Sequence, residues 1–215
     1  ALERLAFIKD RPFALFVSYQ NPHYPVQPSR EFAEQYWDRP LTPRPNFSEI
    51  PDPFNAAGRA FPREEDPEFI RHGDDTIAYI KMYNAMVAEL DANIGRMMAQ
   101  LEAWRLLDNT LIVFTADHGD MQGSHGLGNK HVPYEESTRV PLIVFDPRGV
   151  PGTISEQLVD TTDFLPSILE YAGCSPSPMQ EGCSFLPVTR GAPDDIDKPA
   201  FAEQYGYLMI VRYSY

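Results

Sequence analysis

Apolar and polar positions alternate along this chain in two distinct periods. "PFALFVSYQ" (Pro12 to Gln20) is a continuous apolar run rich in aromatics, the pattern of a strand buried on both faces. "NPHYPVQP" breaks it with prolines. From Pro40 to Pro67 prolines are frequent and periodic apolar residues few, which predicts a long ordered surface loop. In "YIKMYNAMVAELDANIGRMMAQLEAW", Ile80, Tyr83, Val87, Leu90, Ile94, Met97, Leu101 and Trp104 recur at spacings of three and four, predicting one apolar helical stripe. The methionines in it read as core packing rather than as a binding groove.

"DNTLIVFTA" then predicts a turn and a buried strand, and "RVPLIVFDP" (Arg139 to Pro147) a second one. "TTDFLPSILEYAG" predicts a helix, with Thr161 or Thr162 near its N-cap and Gly173 at its C-terminal end. "KPAFAEQYG" and "YLMIVRYSY" are late strand candidates. Strands alternating with helices predict an α/β fold with a mostly parallel sheet flanked by helices.

Composition narrows the function. The 18 basic and 31 acidic residues among 215 give a net charge of −13, which argues against nucleic acid as a partner. Acidity suits a solvated surface and, locally, a hard cation. No apolar run is long enough for a membrane span, and "ALERLAFIKD" does not read as a signal peptide. The chain begins with Ala and stops at "MIVRYSY", so it is expected to be part of a longer protein. A periplasmic or secreted location would then depend on a leader upstream of Ala1. Cys174 and Cys183 are compatible with a small disulfide-closed loop or with two unpaired thiols.

Chemistry concentrates where strands are predicted to end. Asp117 and His118 follow "TLIVFTA", Asn21 and His23 follow "PFALFVSYQ", and Lys130 and His131 lead towards the next strand. Ligands of open α/β sheets sit at such strand ends. Gly119 permits a turn that aims adjacent Asp117 and His118 at one point. A carboxylate and an imidazole make half of a divalent-metal site, although taken alone the pair is a weak signal, better explained by an N-cap Asp beside a hydrogen-bonded His. His23 between prolines could simply close a turn, and Lys130 could be a solvated surface lysine.

"VFTADHGDMQGSHGLGNKHVPYEESTRVPLIV" resembles the sulfatase family of the alkaline phosphatase superfamily. Members carry a strand ending in T-S/A-D-H-G, a G-x-H-G loop, a Lys, then Y/F-E-E-S-x-R-V-P-L-I-V. "FVSYQNPHYPVQP" is similar to their strand ending in P-H-x-P, and "AELDANIGRMMAQLE", "TTDFLPSILEYAG" and "EGCSFLPVTRG" follow in the family's order. The resemblance covers nearly the whole chain. It implies that residues 1–198 are part of a catalytic domain lacking its N-terminal portion and that 199–215 begin a C-terminal strand region.

The resemblance further implies that Asp117 and His118 complete a calcium site. His118 stands where some members have Asn, so manganese or magnesium are alternatives. It gives Lys130 to the sulfate group and His23 to the ester oxygen. His125 and His131 are weaker candidates for contacting substrate, and Asp120 is expected to support the loop rather than bind metal. Glu135, Glu136 and Arg139 are expected to stabilise the fold, with an internal ion pair among them, and His72 to lie on the surface. The implied reaction is hydrolysis of sulfate monoesters by a formylglycine nucleophile, and "YEES" leans towards carbohydrate sulfates.

"CSPSP" (Cys174 to Pro178) imitates the family's C/S-x-P-S-R nucleophile motif, but Pro178 replaces its Arg and it follows a helix rather than preceding the P-H-x-P strand. Asp74-Asp75 and Asp194-Asp195 are not the family's first metal-binding pair, since neither follows an N-terminal buried strand. The nucleophile and the remaining ligands are therefore expected upstream of Ala1, and the chain alone is expected to be inactive. Two rival readings share these residues: a phosphonate monoester or phosphodiester hydrolase of the same superfamily, and a non-catalytic sulfatase-like binding protein.

Overall fold

In the computed structural model the described residues are 1–48, 76–175, 178–204 and 207–212. Residues 49–67 of the Pro-rich stretch, His72 and Asp74-Asp75 lie outside them. The chain divides into two compact units: residues 1–107 with 119–130, and residues 108–118 with 131–215.

The first unit contains α1 (Leu2–Ile8), α2 (Arg30–Trp37) and the long α3 (Thr76–Ala103). Its core joins Val26 to Tyr79, Ile80, Met82 and Met86 of α3, with Ala33 and Tyr36 of α2, Leu41 and Phe47 packed against them. Met82 and Met86 are thus core residues, as expected for methionines of this helix, although they lie outside the predicted stripe. The predicted stripe is only partly buried. Ile80 and Leu101 are covered, Tyr83, Leu90, Ile94, Met97 and Trp104 are half-buried, and Val87 is exposed. Packing with α2 favours the adjoining face that carries Tyr79, Met82 and Met86. A helix's periodicity offers a broad apolar face, and its neighbours choose which part of that face is covered.

The expected strand at residues 12–20 forms no regular secondary structure and belongs to no ladder among the described residues. Phe16 is 92% exposed. Composition specifies that such a run can be buried on both faces; it does not supply the flanking strands and helices that would bury it. Tyr19 reaches α3, its hydroxyl donating to Met97 Sδ at 3.0 Å.

The second unit holds β1 (Ile112–Thr115), α4 (Glu135–Thr138), β2 (Leu142–Phe145), α5 (Phe164–Ala172), α6 (Leu186–Thr189), β3 (Ala200–Gln204) and β4 (Tyr207–Val211). The strand predictions on "TLIVFTA", "PLIVF" and the two late segments all coincide with observed strands. Their pairing differs from the parallel expectation. β1 pairs antiparallel with β2, Thr115 opposite Leu142, and β3 pairs antiparallel with β4 in a hairpin. Alternation of strands and helices predicts the α/β class, whereas strand direction depends on which strands become neighbours.

α5 is preceded by a 3-10 turn, Thr161–Asp163, capped one residue earlier than expected. Asp160 accepts from Thr162 N–H, and Asp163 accepts in return from Asp160 N–H. Gly173 ends α5 in the left-handed region, as its position suggested. Asp163 is the hub of this unit. Its carboxylate, only 1% exposed, accepts from Cys183 N–H at 2.7 Å, Asp160 N–H at 3.0 Å and Lys198 Nζ at 2.7 Å. Lys198 also donates to Leu158 O at 3.1 Å. Ser167 links the same region, donating to Asp163 O and accepting from Phe185 N–H. A buried ion pair is tolerated when its remaining hydrogen-bonding capacity is filled in this way. Nearby, Arg190 bridges Asp146, just after β2, and Glu170 of α5, at 3.0 and 2.9 Å.

Removing one charge from the hub tests its weight. Asp163→Asn keeps the shape but leaves Lys198 buried without its counter-ion, and should cost about 2–4 kcal/mol in urea denaturation of the chain. Asp163→Asn/Lys198→Met should regain at least half of that loss. A single-variant loss below about 0.5 kcal/mol would show that the pair does not organise the unit.

Candidate active site

The sequence-predicted site residues fall into two sets. His23, Asp120, His125 and Lys130 belong to the first unit, and Asp117, His118 and His131 to the second. Within the second unit β1 ends at Thr115, and the backbone turns immediately beyond it. Asp117 Oδ1 accepts from His118 N–H at 3.0 Å, and Asp117 Oδ2 lies 3.4 Å from His118 Nε2. The turn therefore brings together two side chains that a continuing strand would point to opposite faces. Asp117 is 86% exposed at its side chain, so its carboxylate is open to solvent or to a cation.

One oxygen and one nitrogen donor at this separation suit adjacent positions around a divalent cation. They fit such a group as part of a coordination shell. No cluster of three or more His, Cys, Asp or Glu side chains able to hold a metal occurs among the described residues. His131 has a left-handed φ of 79° and is half-buried.

In the first unit the glycine-rich loop is built on an unexpected support. Residues 46–48 run antiparallel to residues 123–125, with Phe47 and Ser124 forming a β-bridge. His125 N–H donates to Asn46 O and Ser48 N–H to Gly123 O, both at 2.8 Å. A Cβ on Gly123, which has φ of 85°, would lie 2.5 Å from the Phe47 ring. Glycine is required there both for the backbone conformation and for the ring's close approach. Arg44 Nη1 lies 3.4 Å from Asp120 O and Met121 O and 3.3 Å from Ser124 Oγ. Met121 and Ser124 are fully buried beneath these contacts.

Gln122, His125, Asn129 and His131 all adopt positive φ. Such backbone is costly for residues other than glycine and persists where surrounding contacts fix it, often at functional loops. The sequence exposed the glycines and histidines of this loop. It gave no sign of Arg44, Asn46 or Phe47, because their significance arises from contacts to residues nearly eighty positions away.

His23 is exposed. Its ring Nδ1 lies 2.7 Å from Tyr24 O, so Nδ1 carries a proton and Nε2 is the nitrogen turned to other chemistry. Lys130 is half-buried, and its charge acts favourably on Asp120. Loss of water around the Asp120 carboxylate dominates nonetheless and pushes its pKa up to about 6. The N–H groups of Gln122 and Asn129 and the charges of Lys130 and Arg44 oppose that rise. Asp120 Oδ1 accepts from Gln122 N–H at 2.9 Å, which places it as a support of the loop. Burial, the charge of Asp120 and neighbouring Tyr83 also raise the Tyr79 phenol well above its ordinary value.

Other expectations are corrected. The ion pair in "YEESTR" is Glu135–Arg139, 3.4 Å apart on α4, and it is exposed rather than internal, so its stabilising effect is small. Cys174 and Cys183 are free and exposed. Cys174 follows the C-terminus of α5, its N–H donating to Leu169 O, the opposite end of a helix from the one that would stabilise an anionic nucleophile. That placement agrees with rejecting "CSPSP" as the nucleophile motif.

Comparison with known proteins shows what the chain is similar to. The family model described as Sulfatase matches residues 3–174. An arylsulfatase of Clostridium perfringens is 29% identical over 193 residues, which are 85% of this chain and 39% of the relative. An N-acetylglucosamine-6-O-sulfatase of Bacteroides thetaiotaomicron is 40% identical over 134 residues, 60% of this chain and 24% of the relative. The chain thus spans well under half the length of these relatives.

Among solved structures, an enzyme in complex with its substrate D-glucosamine-2-N,6-O-disulfate superposes with a TM-score of 0.76 at 23% identity, covering 95% of this chain and 55% of that one. A phosphonate monoester hydrolase of Agrobacterium radiobacter gives 0.72 at 27% identity, covering 93% and 43%. These neighbours show the alkaline phosphatase-like α/β fold expected for the chain.

The raised pKa of Asp120 yields a pH test. A folded pKa above the unfolded one stabilises the native state below about pH 4, and that contribution is lost as pH rises through about 6. Asp120→Asn retains an acceptor for Gln122 N–H and cannot ionise. It should therefore gain roughly 1 kcal/mol in stability relative to wild type between pH 4.5 and 7.5. A pH-independent difference in denaturation midpoint would contradict the assignment.

Proposed function

The chain belongs to the sulfatase family, and we propose that it contributes His23, Lys130, Asp117 and His118 to an enzyme that hydrolyses sulfate monoesters of carbohydrates. The observation carrying this reading is the Asp117–His118 pair at the end of β1, inside a segment matched by the sulfatase family model. The carbohydrate class is supported by the N-acetylglucosamine-6-O-sulfatase, which is 40% identical where it aligns.

Each residue has a role consistent with its chemistry. The ammonium of Lys130 would bind the sulfate oxygens and offset the charge gathered there in the transition state. His23, its Nδ1–H tied to Tyr24 O, would act as the imidazolium, presenting Nε2–H to the ester oxygen and giving up that proton as the bond to sulfur breaks, which leaves the neutral Nδ1–H ring. Asp117 and His118 would be two ligands of a divalent cation, calcium first, with manganese or magnesium as alternatives. Bound there, the cation would act as a Lewis acid that lowers the charge on the sulfate group. The formylglycine nucleophile is proposed to lie in the part of the relatives that this chain does not span. His125 and His131 are proposed as substrate contacts.

A second reading is favoured by the phosphonate monoester hydrolase neighbour. Anionic phosphonate and sulfate esters make similar demands on Lys130 and His23. Parallel rates of the whole protein on aryl sulfate and aryl phosphonate esters separate the readings, and a preference for the phosphonate would displace the sulfatase proposal.

In the whole protein Lys130→Ala should lower kcat/KM for an aryl sulfate about 100-fold or more. His23→Ala should slow alkyl sulfates, whose leaving groups need the proton, more than aryl sulfates. Equal losses on both substrates would remove His23 from leaving-group protonation. The 215-residue chain alone should show no sulfatase activity. Calorimetric titration should find its calcium binding weak, because calcium takes about six to eight oxygen ligands. Tight one-to-one binding would contradict the assignment of Asp117 and His118 as a partial ligand set.

A further inference from the structure

Asn46 holds His125 at two points. Its main-chain oxygen accepts His125 N–H at 2.8 Å, and its side-chain Nδ2 lies 3.2 Å from His125 Nε2. The first contact helps to fix the left-handed backbone of His125, φ 55°. The second constrains the ring. An amide NH2 can only donate, so Nε2 must be the accepting nitrogen, and the proton of the neutral imidazole then resides on Nδ1. A protonated imidazolium could not accept that bond.

The contact is also well braced. The Phe47–Ser124 bridge follows Asn46 directly, Ser48 N–H bonds Gly123 O, and Arg44 reaches the same loop from the other side of Asn46. Asn46 therefore has little freedom to leave the ring, and His125 remains exposed while so held.

We propose that Asn46 is a positioning residue. It fixes His125 as the neutral Nδ1–H tautomer, so that His125 recognises a hydroxyl of a sulfated sugar rather than the sulfate anion itself. A neutral ring discriminates by hydrogen-bond geometry and leaves electrostatic attraction for the sulfate to Lys130. With Nε2 engaged by Asn46, the neutral ring offers only Nδ1–H, a donor that a sugar hydroxyl oxygen can accept, whereas an imidazolium would add the charge that favours the anion. This inference rests on the reading of His125 as a substrate contact.

The test uses the whole protein with ring-15N histidine and long-range proton–nitrogen correlation at pH 7.5. In the wild type, His125 Nε2 should show the signature of an unprotonated ring nitrogen and Nδ1 that of a protonated one. Asn46→Ala should allow the two tautomers to mix. Asn46→Asp, whose carboxylate can only accept, should move a proton onto Nε2. These substitutions leave the main-chain bond from His125 to position 46 in place, and the wild-type spectrum needs no variant.

Kinetically, Asn46→Ala should raise KM for a glucosamine sulfate about tenfold, the loss of one well-placed hydrogen bond, with a smaller rise for an aryl sulfate. A protonated Nε2 in the wild type, or a tautomer unchanged by Asn46→Ala, would overturn the positioning role. The expected tautomer with an unchanged sugar-sulfate KM in both Asn46→Ala and His125→Ala would overturn hydroxyl recognition. Neither result touches the sulfatase reading, whose own failure would appear as a wild-type protein that turns over no sulfate ester.

Discussion

The first unit's candidate chemistry depends on one close approach, the Phe47 ring lying over Gly123. A side chain at position 123 would occupy the ring's place. Its absence allows Asn46 and Ser48 to bond the backbone on either side, and those bonds hold a loop whose residues would otherwise avoid positive φ. Ser124 and Met121 are buried as a consequence, while His125 is left facing outward. The constraint is steric first and hydrogen-bonded second, and it converts a glycine-rich segment into a fixed support for an imidazole.

The second unit solves a different problem. Its strands are short, and among the described residues each of its two ladders has two strands, so backbone pairing contributes modestly. Polar groups compensate. Asp163 joins the start of α5 to the segments at Cys183 and Lys198, and Arg190 joins β2, α5 and α6. Buried charges whose partners come from several segments favour one arrangement of the chain, because a wrong arrangement strands a charge away from water; Asp163 meets this fully, whereas Arg190 keeps one buried nitrogen, Nη2, without a hydrogen-bond partner. Beyond β1, the same unit then needs only a turn to present Asp117 and His118 side by side.

Under the proposed function the residues would differ in task by chemical type. Lys130 and His23 would supply positive charge and a proton to an anionic ester. Asp117 and His118 would supply lone pairs to a cation. Asp120 carries charge near Lys130 but is committed to the loop through Gln122 N–H, and its raised pKa records the water it has lost rather than a part in binding.

Local sequence determined a good deal here. Period and length placed α3, β1, β2, α5 and the two late strands, since each depends on a few neighbouring residues. Motif order exposed the family, and made Asp117, His118, His23 and Lys130 its candidate site residues, because they lie within short stretches that match the family's pattern. Tertiary structure decided the rest. It set the antiparallel sense of the paired strands, chose which face of α3 is buried, left Phe16 uncovered, and made Asp163 and Asn46 important. The physical reason is common to all of these: each is a property of contacts between segments distant in sequence, and a local pattern records what a segment is able to bury or bond, never which partner it meets.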